Sequence, residues 1–340
     1  MFRRPFRHRN PFRTISLPLI AHLYRIGFHR YRRRWAKRLL KKPGRALFDL
    51  AHGLGLQGEG RMALELPGGS REFHYDGRNA HFGTIYLHPD HLLFEAGVAA
   101  LLDAFMTGSR IFFDGGANWG WASLYAATLP RYHGHIHAFE PVALAHRDLA
   151  RAVAELDLAA RITCHNVALS DRTGTGRMVQ PDPLNTGWAH VTNTGGFEVR
   201  LAELDGLGLP DPDFVKLDVE GHELRVLKGA REVLRRARPH VVLENWLEPS
   251  RPDVTLAPLR FLMDEGYGLY VPCWQQRVNG EPFLWPEPHP PTASEDQVFV
   301  LVPTTPDQRM LMARHLNIYA CPRERMDELR RVFEEIPRHG

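Results

Sequence analysis

Cysteine is scarce in this sequence, long apolar runs are missing, and acidic residues are absent from the first 45 positions. The three cysteines, Cys164, Cys273 and Cys321, are odd in number and far apart in the chain, which excludes a disulfide framework and a zinc-finger spacing. The apolar stretch 15–24 is interrupted by a proline and a histidine and is far shorter than the roughly 20 residues of a membrane-spanning helix. We therefore expect a cytoplasmic chain with reduced thiols.

Positive charge is concentrated in residues 1–45, which carry fifteen Lys or Arg interleaved with aromatic and aliphatic side chains. The remaining chain is acidic, with 28 basic against 39 acidic residues. Three interpretations fit the basic segment: a partly disordered tail, an arm that binds an anionic membrane surface, and a transit peptide or nucleic-acid-binding arm. The second would place the protein at the inner face of the membrane.

The rest of the chain divides into three parts. Residues 46–90 contain short alternating pieces separated by Gly-rich turns, which is typical of a small antiparallel β element. Residues 91–305 alternate apolar strand-like runs with helical patterns, which predicts a doubly wound α/β domain. Residues 306–340 follow with the pattern of two amphipathic helices.

A strand, a glycine-rich loop and a helix lie at the centre of the chain. The apolar run 111–113 predicts a buried parallel strand, and Asp114 stands at its carboxyl end. The loop D-G-G-A-N-W-G has alanine, Ala117, at the middle glycine of the dinucleotide fingerprint, and Asn118 follows it. Glycine occupies the points where backbone must approach a ligand or turn into a helix, and these are Gly115, Gly116 and Gly120.

A second acid follows the next predicted strand, residues 136–139, where Glu140 precedes Pro141. The carboxyl ends of adjacent parallel strands meet in the crevice where open α/β sheets bind ligands, so we expect Asp114 and Glu140 at one site. An anionic Asp114 suits an ammonium group better than a pyrophosphate, and Glu140 suits the two hydroxyls of a ribose. S-adenosylmethionine satisfies both acids, and a nicotinamide dinucleotide is the alternative ligand.

Five motifs follow one another in this region: DGGANWG, AFEP, NVALSD, FVKLDVEGHELRVLKGA and VVLEN. With them, residues 94–302 resemble the FkbM-type methyltransferases. The resemblance implies a Rossmann-like class I methyltransferase sheet of seven strands, with residues 297–302 as an antiparallel seventh strand. It also implies that Asn166, Ala168 and Ser170 line the adenine. Gly115 replaces the family's usual valine, which we expect to loosen the loop without moving the acid.

Polar side chains end the fourth and fifth predicted strands. Asp218 closes strand 214–218, and Glu244 and Asn245 follow the run 241–243. These three residues resemble the magnesium triad of catechol O-methyltransferase, and a hard cation held by such oxygens lowers the pKa of a bound hydroxyl. We expect Mg²⁺ at Asp218, Glu244 and Asn245, with metal-free contact of Asp218 to ligand or substrate as the alternative.

Lys216 and His222 are further catalytic candidates beside Asp218. Strand side chains alternate with a period of two, so Lys216 shares a side of the strand with Asp218 and either assists a base or pairs with that acid. His222 titrates near neutrality in its ordinary state, as a general base requires. A capping or surface role is the alternative for this histidine.

The predicted function is S-adenosylmethionine-dependent O-methylation of a hydroxyl on a sugar, glycolipid or other secondary metabolite, as the resemblance suggests. A nicotinamide-dependent oxidoreductase and a non-catalytic peripheral membrane protein with a degenerate pocket are the alternatives. Nucleic acid is not the expected partner, and the sequence leaves a homo-oligomer open. Residues 177–196, which include Asn185, Trp188 and His190, either cover the site or form a plain surface loop.

Overall fold

The computed structural model describes residues 1–28, 34–83, 94–180, 189–192, 195–278, 281–286, 296–312 and 315–335. Its strands are β1 Phe2–Arg7, β2 Phe12–Ser16, β3 Glu59–Leu66, β4 Gly69–Asp76, β5 Ile111–Gly115, β6 His135–Phe139, β7 Ile162–His165, β8 Ala168–Leu169, β9 Gly174–Val179, β10 His190–Thr192, β11 Phe197–Ala202, β12 Phe214–Leu217, β13 His240–Trp246, β14 Tyr267–Val278, β15 Glu281–Pro286, β16 Asp296–Thr304, β17 His315–Pro322 and β18 Glu334–Glu335. Its α-helices are α1 Leu19–Phe28, α2 Arg34–Gly53, α3 Ala96–Phe105, α4 Trp121–Ala127, α5 Ala143–Glu155, α6 Glu223–Lys228, α7 Arg231–Ala237, α8 Pro252–Asp264, α9 Pro306–Arg309 and α10 Met326–Val332.

The central sheet is mixed and, among the described residues, has eleven strands in the order β18-β1-β16-β14-β17-β13-β12-β5-β6-β7, with β15 paired to β14. Strands β13, β12, β5, β6 and β7 are parallel to one another. The pairings on the other side of β13 are antiparallel. The prediction of an α/β sheet is confirmed, whereas the predicted count of seven strands is too small.

Apolar side chains project from both faces of the parallel strands. Phe112 belongs to one buried cluster with helices α3, α4 and α5, while its neighbour Phe113 belongs to a second cluster with α6, α7 and α8. Phe214 and Val215 divide in the same way. Because successive side chains of a strand point to opposite faces, each continuous apolar run supplies two cores at once, and helices cover both faces of the sheet.

The strand beside β13 is β17. Residues 297–302 form an antiparallel strand of the central sheet, as predicted. Those residues belong to β16, which pairs with β14 and β1. Residues 306–340 were predicted to form two helices, and the described part of this range contains the short helices α9 and α10. The prediction missed the long strand β17 that lies between them.

The described residues of the basic segment 1–45 form strands and helices of the fold, which disagrees with the interpretation of this segment as a partly disordered tail. Strand β1 pairs with β16 along its whole length, and its Arg3 forms an ion pair with Glu334 at 2.8 Å. Strand β2 joins β3 and β4 in a three-stranded sheet. Of the described strands and helices of this segment, only the helical hairpin α1–α2 belongs to neither sheet. Among the described helices, none combines the length and the apolarity that spanning a bilayer requires.

The antiparallel element predicted for residues 46–90 contains β3 and β4, and residues 84–90 of the predicted range lie outside the described residues. The element is fastened to α5 by Asp148, which is buried and accepts hydrogen bonds from the Asp76 amide at 3.1 Å and the Asn79 side chain at 3.2 Å. The 3₁₀ turn Ala80–Phe82 follows directly. These hydrogen bonds hold the end of the small sheet beside α5, which packs on the central sheet.

Candidate active site

A cavity of about 350 Å³ lies at the carboxyl ends of β5, β6, β12 and β13. One side of it is formed by the loop after β5 and by the ends of β6 and β8, and the other by titratable side chains from β12, β13, β17 and the turn after β4. Strands of a parallel sheet end at one edge, which explains how residues more than a hundred positions apart meet here.

The glycine loop reaches the cavity through Gly116, Ala117 and Asn118, whereas Gly115 and Gly120 do not line it. Gly116 has a φ of 74°, and a Cβ there would lie 1.8 Å from the carbonyl oxygen of Asp218. Only glycine fits such a position. The amides of Gly116 and Ala117 both donate to the Phe139 carbonyl at 3.0 Å, so the loop is fixed across the gap between β5 and β6.

Glu140 and Pro141 line the cavity as predicted. The Glu140 carboxylate accepts the amide of Asn118 at 2.7 Å and the amide of Val142 at 2.7 Å. Burial raises the pKa of Glu140 to about 7, although both backbone donors oppose the shift. Each carboxylate oxygen has a further lone pair, so this acid can accept from ligand hydroxyls while it holds the loop in place.

The strand end predicted to line an adenine contributes unevenly. Ala168 lines the cavity together with Val167 and Leu169. Asn166 instead donates its amide to the carbonyls of Glu140 at 2.8 Å and Pro141 at 3.1 Å. Ser170 does not line the cavity either.

Asp114 does not line the cavity, contrary to the expectation that it contacts a ligand ammonium. Its side chain is wholly buried, accepts the Ser123 hydroxyl at 2.6 Å, and lies 3.7 Å from the ammonium of Lys216. Burial raises the pKa of Asp114, and the charge of Lys216 opposes that shift. The acid thus acts behind the cavity wall, on Lys216.

Lys216 is paired with acids on both sides, since its ammonium also lies 3.2 Å from Asp218. Burial lowers the pKa of Lys216, but the charges of Asp218 and Asp114 outweigh it and the net shift is upward. The pKa of Asp218 is lowered, because Lys216 outweighs the opposing effect of burial. Both groups are therefore charged at neutral pH, which favours the pairing alternative for Lys216 over a role as base.

Glu244 lies in the cavity, but Asn245 does not. Adjacent residues of β13 point to opposite faces of the sheet, and the Asn245 amide is buried behind it, donating to the Thr255 carbonyl at 2.9 Å and accepting from Arg309 at 2.7 Å. The prediction of Asn245 as a metal ligand is therefore wrong.

Glu220 stands where the third ligand was expected. Carboxylate oxygens of Asp218, Glu220 and Glu244 all lie within 4.8 Å of one another, which makes them the group of acidic side chains in the described part of the chain that can hold a cation. Burial, together with the charges of Glu244 and Asp218, raises the pKa of Glu220 to about 9. Burial and Asp218 raise the pKa of Glu244 to about 7. A bound cation would relieve this crowding of like charges.

His222 lines the cavity, and its Nε2 lies 2.9 Å from the hydroxyl of the buried Ser170. Burial lowers the pKa of His222 to about 4. A base this weak is poorly matched to proton transfer at neutral pH. The geometry thus favours a neutral histidine that orients Ser170 over the predicted general base.

Comparison with known proteins supplies the family. The profile of the methyltransferase FkbM domain matches residues 114–267. That range contains the glycine loop, Glu140, Asp218, Glu220 and Glu244. Residues 114–267 are a methyltransferase FkbM domain. The resemblance to the FkbM-type methyltransferases is confirmed, and so is the prediction of a methyltransferase at the level of this domain.

Solved structures similar to the chain include an FkbM methyltransferase of Methylobacillus flagellatus (21% identity, TM-score 0.36, covering 56% of this chain and 43% of that one). A S-adenosylmethionine-dependent O-methyltransferase of Thermotoga maritima (12%, 0.33, 71% and 77%) and Aeropyrum pernix fibrillarin with bound S-adenosylmethionine (14%, 0.34, 71% and 94%) also match. The TM-scores are low, so the assignment of the FkbM domain depends on the profile match. No curated protein matches the chain.

Three titratable cavity residues come from outside the matched FkbM domain. His81 follows β4, Glu95 precedes α3, and His315 begins β17. His315 lies 2.5 Å from one oxygen of Glu244, and the other accepts the indole N–H of Trp246 at 2.9 Å. The sequence-based prediction of the site included none of these residues. Alternation along β13 could have found Trp246, whereas nothing local marks the other three.

The strands β9 and β10 cover the FkbM-domain cavity through Met178, Ala189 and Val191. This agrees with the covering interpretation of residues 177–196 for the part that is described. His190 alternates away from the cavity wall, and Asn185 and Trp188 lie outside the described residues.

Proposed function

We propose that the protein transfers the methyl group of S-adenosylmethionine to a hydroxyl of a sugar, glycolipid or other secondary metabolite. The observation that carries the proposal is that one cavity joins two halves of different chemistry. The FkbM-domain loop with Glu140 forms the cofactor half, and the acids Asp218, Glu220 and Glu244 form the acceptor half.

The cofactor half suits an adenosyl ligand. Glu140 has acceptor capacity for a ribose diol, and the backbone of Gly116 and Ala117 permits close approach. The apolar group Val167, Ala168 and Met178 offers a slot for a flat base. The sulfonium is cationic and would be favoured by the acids beyond the loop.

Methyl transfer needs an in-line oxygen and a place for its proton. The acceptor oxygen bonds to the methyl carbon, the carbon–sulfur bond breaks, and the electron pair stays on a neutral thioether. Without a bound cation, Glu244 is the carboxylate suited to take the hydroxyl proton, because its pKa of about 7 is near the working pH. Its hydrogen bonds with Trp246 and His315 hold it in one orientation. Glu220, with a pKa of about 9, is protonated at neutral pH.

A divalent cation fits the acceptor half, since three carboxylates converge there and their pKa values report like-charge crowding. Asp218, Glu220 and Glu244 would hold it, with Glu220 in place of Asn245. When bound, Mg²⁺ would polarise the acceptor hydroxyl. In its absence Lys216 lies 3.2 Å from Asp218, and His315 lies 2.5 Å from Glu244.

A thermal-shift titration with S-adenosylmethionine, S-adenosylhomocysteine and NAD tests the cofactor. A ligand at 100 times its Kd stabilises the folded state by about 2.7 kcal/mol, and we expect this for the two adenosyl ligands alone. Glu140→Ala should abolish the shift relative to its own unliganded melt. Glu72→Ala, an exposed acid of β4, is the matched control and should keep it. Stabilisation by NAD alone would overturn the proposal, as would no shift with any ligand.

Transfer of labelled methyl groups into glycan and lipid extracts tests the chemistry. Glu244→Gln should lose transfer while keeping the S-adenosylhomocysteine shift, because it removes the base and leaves the cofactor half intact. Activity that survives this change would remove Glu244 from the mechanism. Activity that survives EDTA would remove the cation.

A further inference from the structure

The helical hairpin α1–α2 presents an unusual amount of apolar surface to solvent. Nine large apolar side chains in or next to it are each between 41% and 64% exposed. We call this set the hairpin face; it consists of Leu19, Ile26, Trp35, Leu39, Leu40, Leu47, Leu50, Leu54 and Leu56. Contiguous exposed apolar surface of this kind marks an interaction site.

The hairpin face is separate from the hairpin's own core. Ile20, Phe48 and Ala51 are buried in a small cluster between the two helices. At about 100° per residue, the exposed apolar side chains of α2 span about 140° of its circumference, and Phe48 and Ala51 fall outside that arc. The apolar arc of α2 is therefore wider than the part that the fold covers, and the rest of it is exposed.

Positive charge accompanies the hairpin face. Arg34, Lys42 and Arg45 are exposed on α2, and the sequence has no acid before Asp49. The cations of β1 and the following loop are used within the fold, as in the ion pair of Arg4 with Asp103 at 3.2 Å. Exposed positive charge of the basic segment therefore lies on the hairpin, beside its apolar side chains.

We propose that the hairpin face docks the protein on an anionic lipid bilayer, with α2 in the plane of the interface. Helices that lie in this plane combine an apolar face with Lys and Arg at its border. Trp35 has the amphipathic ring that favours this depth. A second copy is the poorer partner, because a two-fold contact would bring like charges of both hairpins together.

A hydrogen bond links the hairpin to the small sheet β2–β3–β4, and the turn that follows this sheet lines the cavity. The Ile20 amide donates to the Gln57 carbonyl at 3.1 Å, just before β3, and the turn after β4 carries His81 into the cavity. Docking would thus favour an acceptor carried by a lipid. That consequence rests on the proposed function, whereas the docking itself does not.

Co-sedimentation of the full chain with vesicles tests the docking. We expect binding to equimolar phosphatidylglycerol and phosphatidylcholine, and little to phosphatidylcholine alone. The variant Leu39→Ser/Leu47→Ser/Leu50→Ser should bind at least about tenfold more weakly. Its matched control changes exposed apolar residues elsewhere, Val254→Ser/Met263→Ser/Leu311→Ser, and should bind like the wild type.

A charge variant tests the anionic part. Lys42→Gln should weaken vesicle binding about fivefold, and Lys228→Gln, an exposed lysine of α6, should not. Equal pelleting of wild type and the leucine variant, equal binding to neutral vesicles, or no pelleting would each overturn the docking. So would a dimer in light scattering that the leucine variant abolishes, because a second copy would then cover the face. The S-adenosylhomocysteine shift in every protein checks folding, and its loss from the wild type would count only against the proposed function.

Discussion

Replacing Lys216 by methionine should destabilise the protein in a way that depends on pH. The Lys216 ammonium lies 3.7 Å from Asp114 and 3.2 Å from Asp218. At an effective dielectric constant of about 20 these attractions amount to about 4.5 and 5 kcal/mol before desolvation is subtracted. Asp218 is 31% exposed and keeps water, but Asp114 is wholly buried and would be left as an uncompensated charge.

Protonation of Asp114 limits that cost. Neutralising an aspartate whose ordinary pKa is about 3.9 costs about 4 kcal/mol at pH 7 and about 1.5 kcal/mol at pH 5. We therefore expect Lys216→Met to lower the free energy of unfolding by about 3 to 4 kcal/mol at pH 7 and by about 1.5 kcal/mol at pH 5. The sign of the pH dependence follows because, in the variant, burial without Lys216 raises the pKa of Asp114 in the folded state. The contribution of such an acid to the free energy of unfolding is present at low pH and is lost as the pH rises.

Urea unfolding at the two pH values, followed by tryptophan fluorescence, measures the effect. Lys228→Met removes an exposed lysine and should change the free energy by less than about 0.5 kcal/mol. Asp114→Asn combined with Lys216→Met should recover most of the loss, because no buried charge remains, and should still bind S-adenosylhomocysteine. A loss under about 1 kcal/mol at pH 7, or the same loss at both pH values, would refute the argument. A double variant that folds but no longer binds the ligand would show that Asp114 contacts the cofactor.

Three further predictions follow from the site and its surroundings. Gly116→Ala should abolish the S-adenosylhomocysteine shift and lower the melting temperature, because its methyl would lie 1.8 Å from a backbone oxygen; Gly206→Ala, with open space around it, is the control. Binding of cationic S-adenosylmethionine should release a proton from Glu140, whose pKa is about 7, so affinity should rise from pH 6 to 8; calorimetry in buffers of different ionisation heat that shows no release would contradict this. Arg309→Met should cost about 2 to 4 kcal/mol in urea unfolding by leaving the Asn245 oxygens without their buried donor, and an unchanged midpoint would count against it.

The parallel core was predictable because its signals are local. The apolar run before Asp114 and the glycines after it define β5 and the start of α4, and the helix predicted after the glycine loop is Trp121–Ala127. Strand β1 has no such signal. Its sequence F-R-R-P-F-R is basic and contains proline, and its strand partner lies near the other end of the chain.

The candidate site was predicted well where a residue's place at the end of a strand puts it in the cavity. It was predicted poorly where the direction of the side chain determines whether the residue reaches the cavity. Glu140 and Asp218 reach the cavity, as their places after strands suggest. The prediction for Asn245 is wrong because neighbours in sequence lie on opposite sides of β13, so the side chains of Glu244 and Asn245 point apart. Glu220 depends on a turn with a φ of 51°, which the sequence V-E-G-H does not specify.

Strand β1 also sets an order of events during synthesis. It is made first, yet its partner β16 is about 290 residues further on, which at about 5 to 20 residues per second takes about 15 to 60 s. Throughout that interval Phe2 and Phe6, which are buried in the finished sheet, lack the strand that pairs with β1. Pairings of such wide separation also slow folding. The far side of the sheet is therefore completed last, after the parallel half that carries the cofactor loop has had time to form.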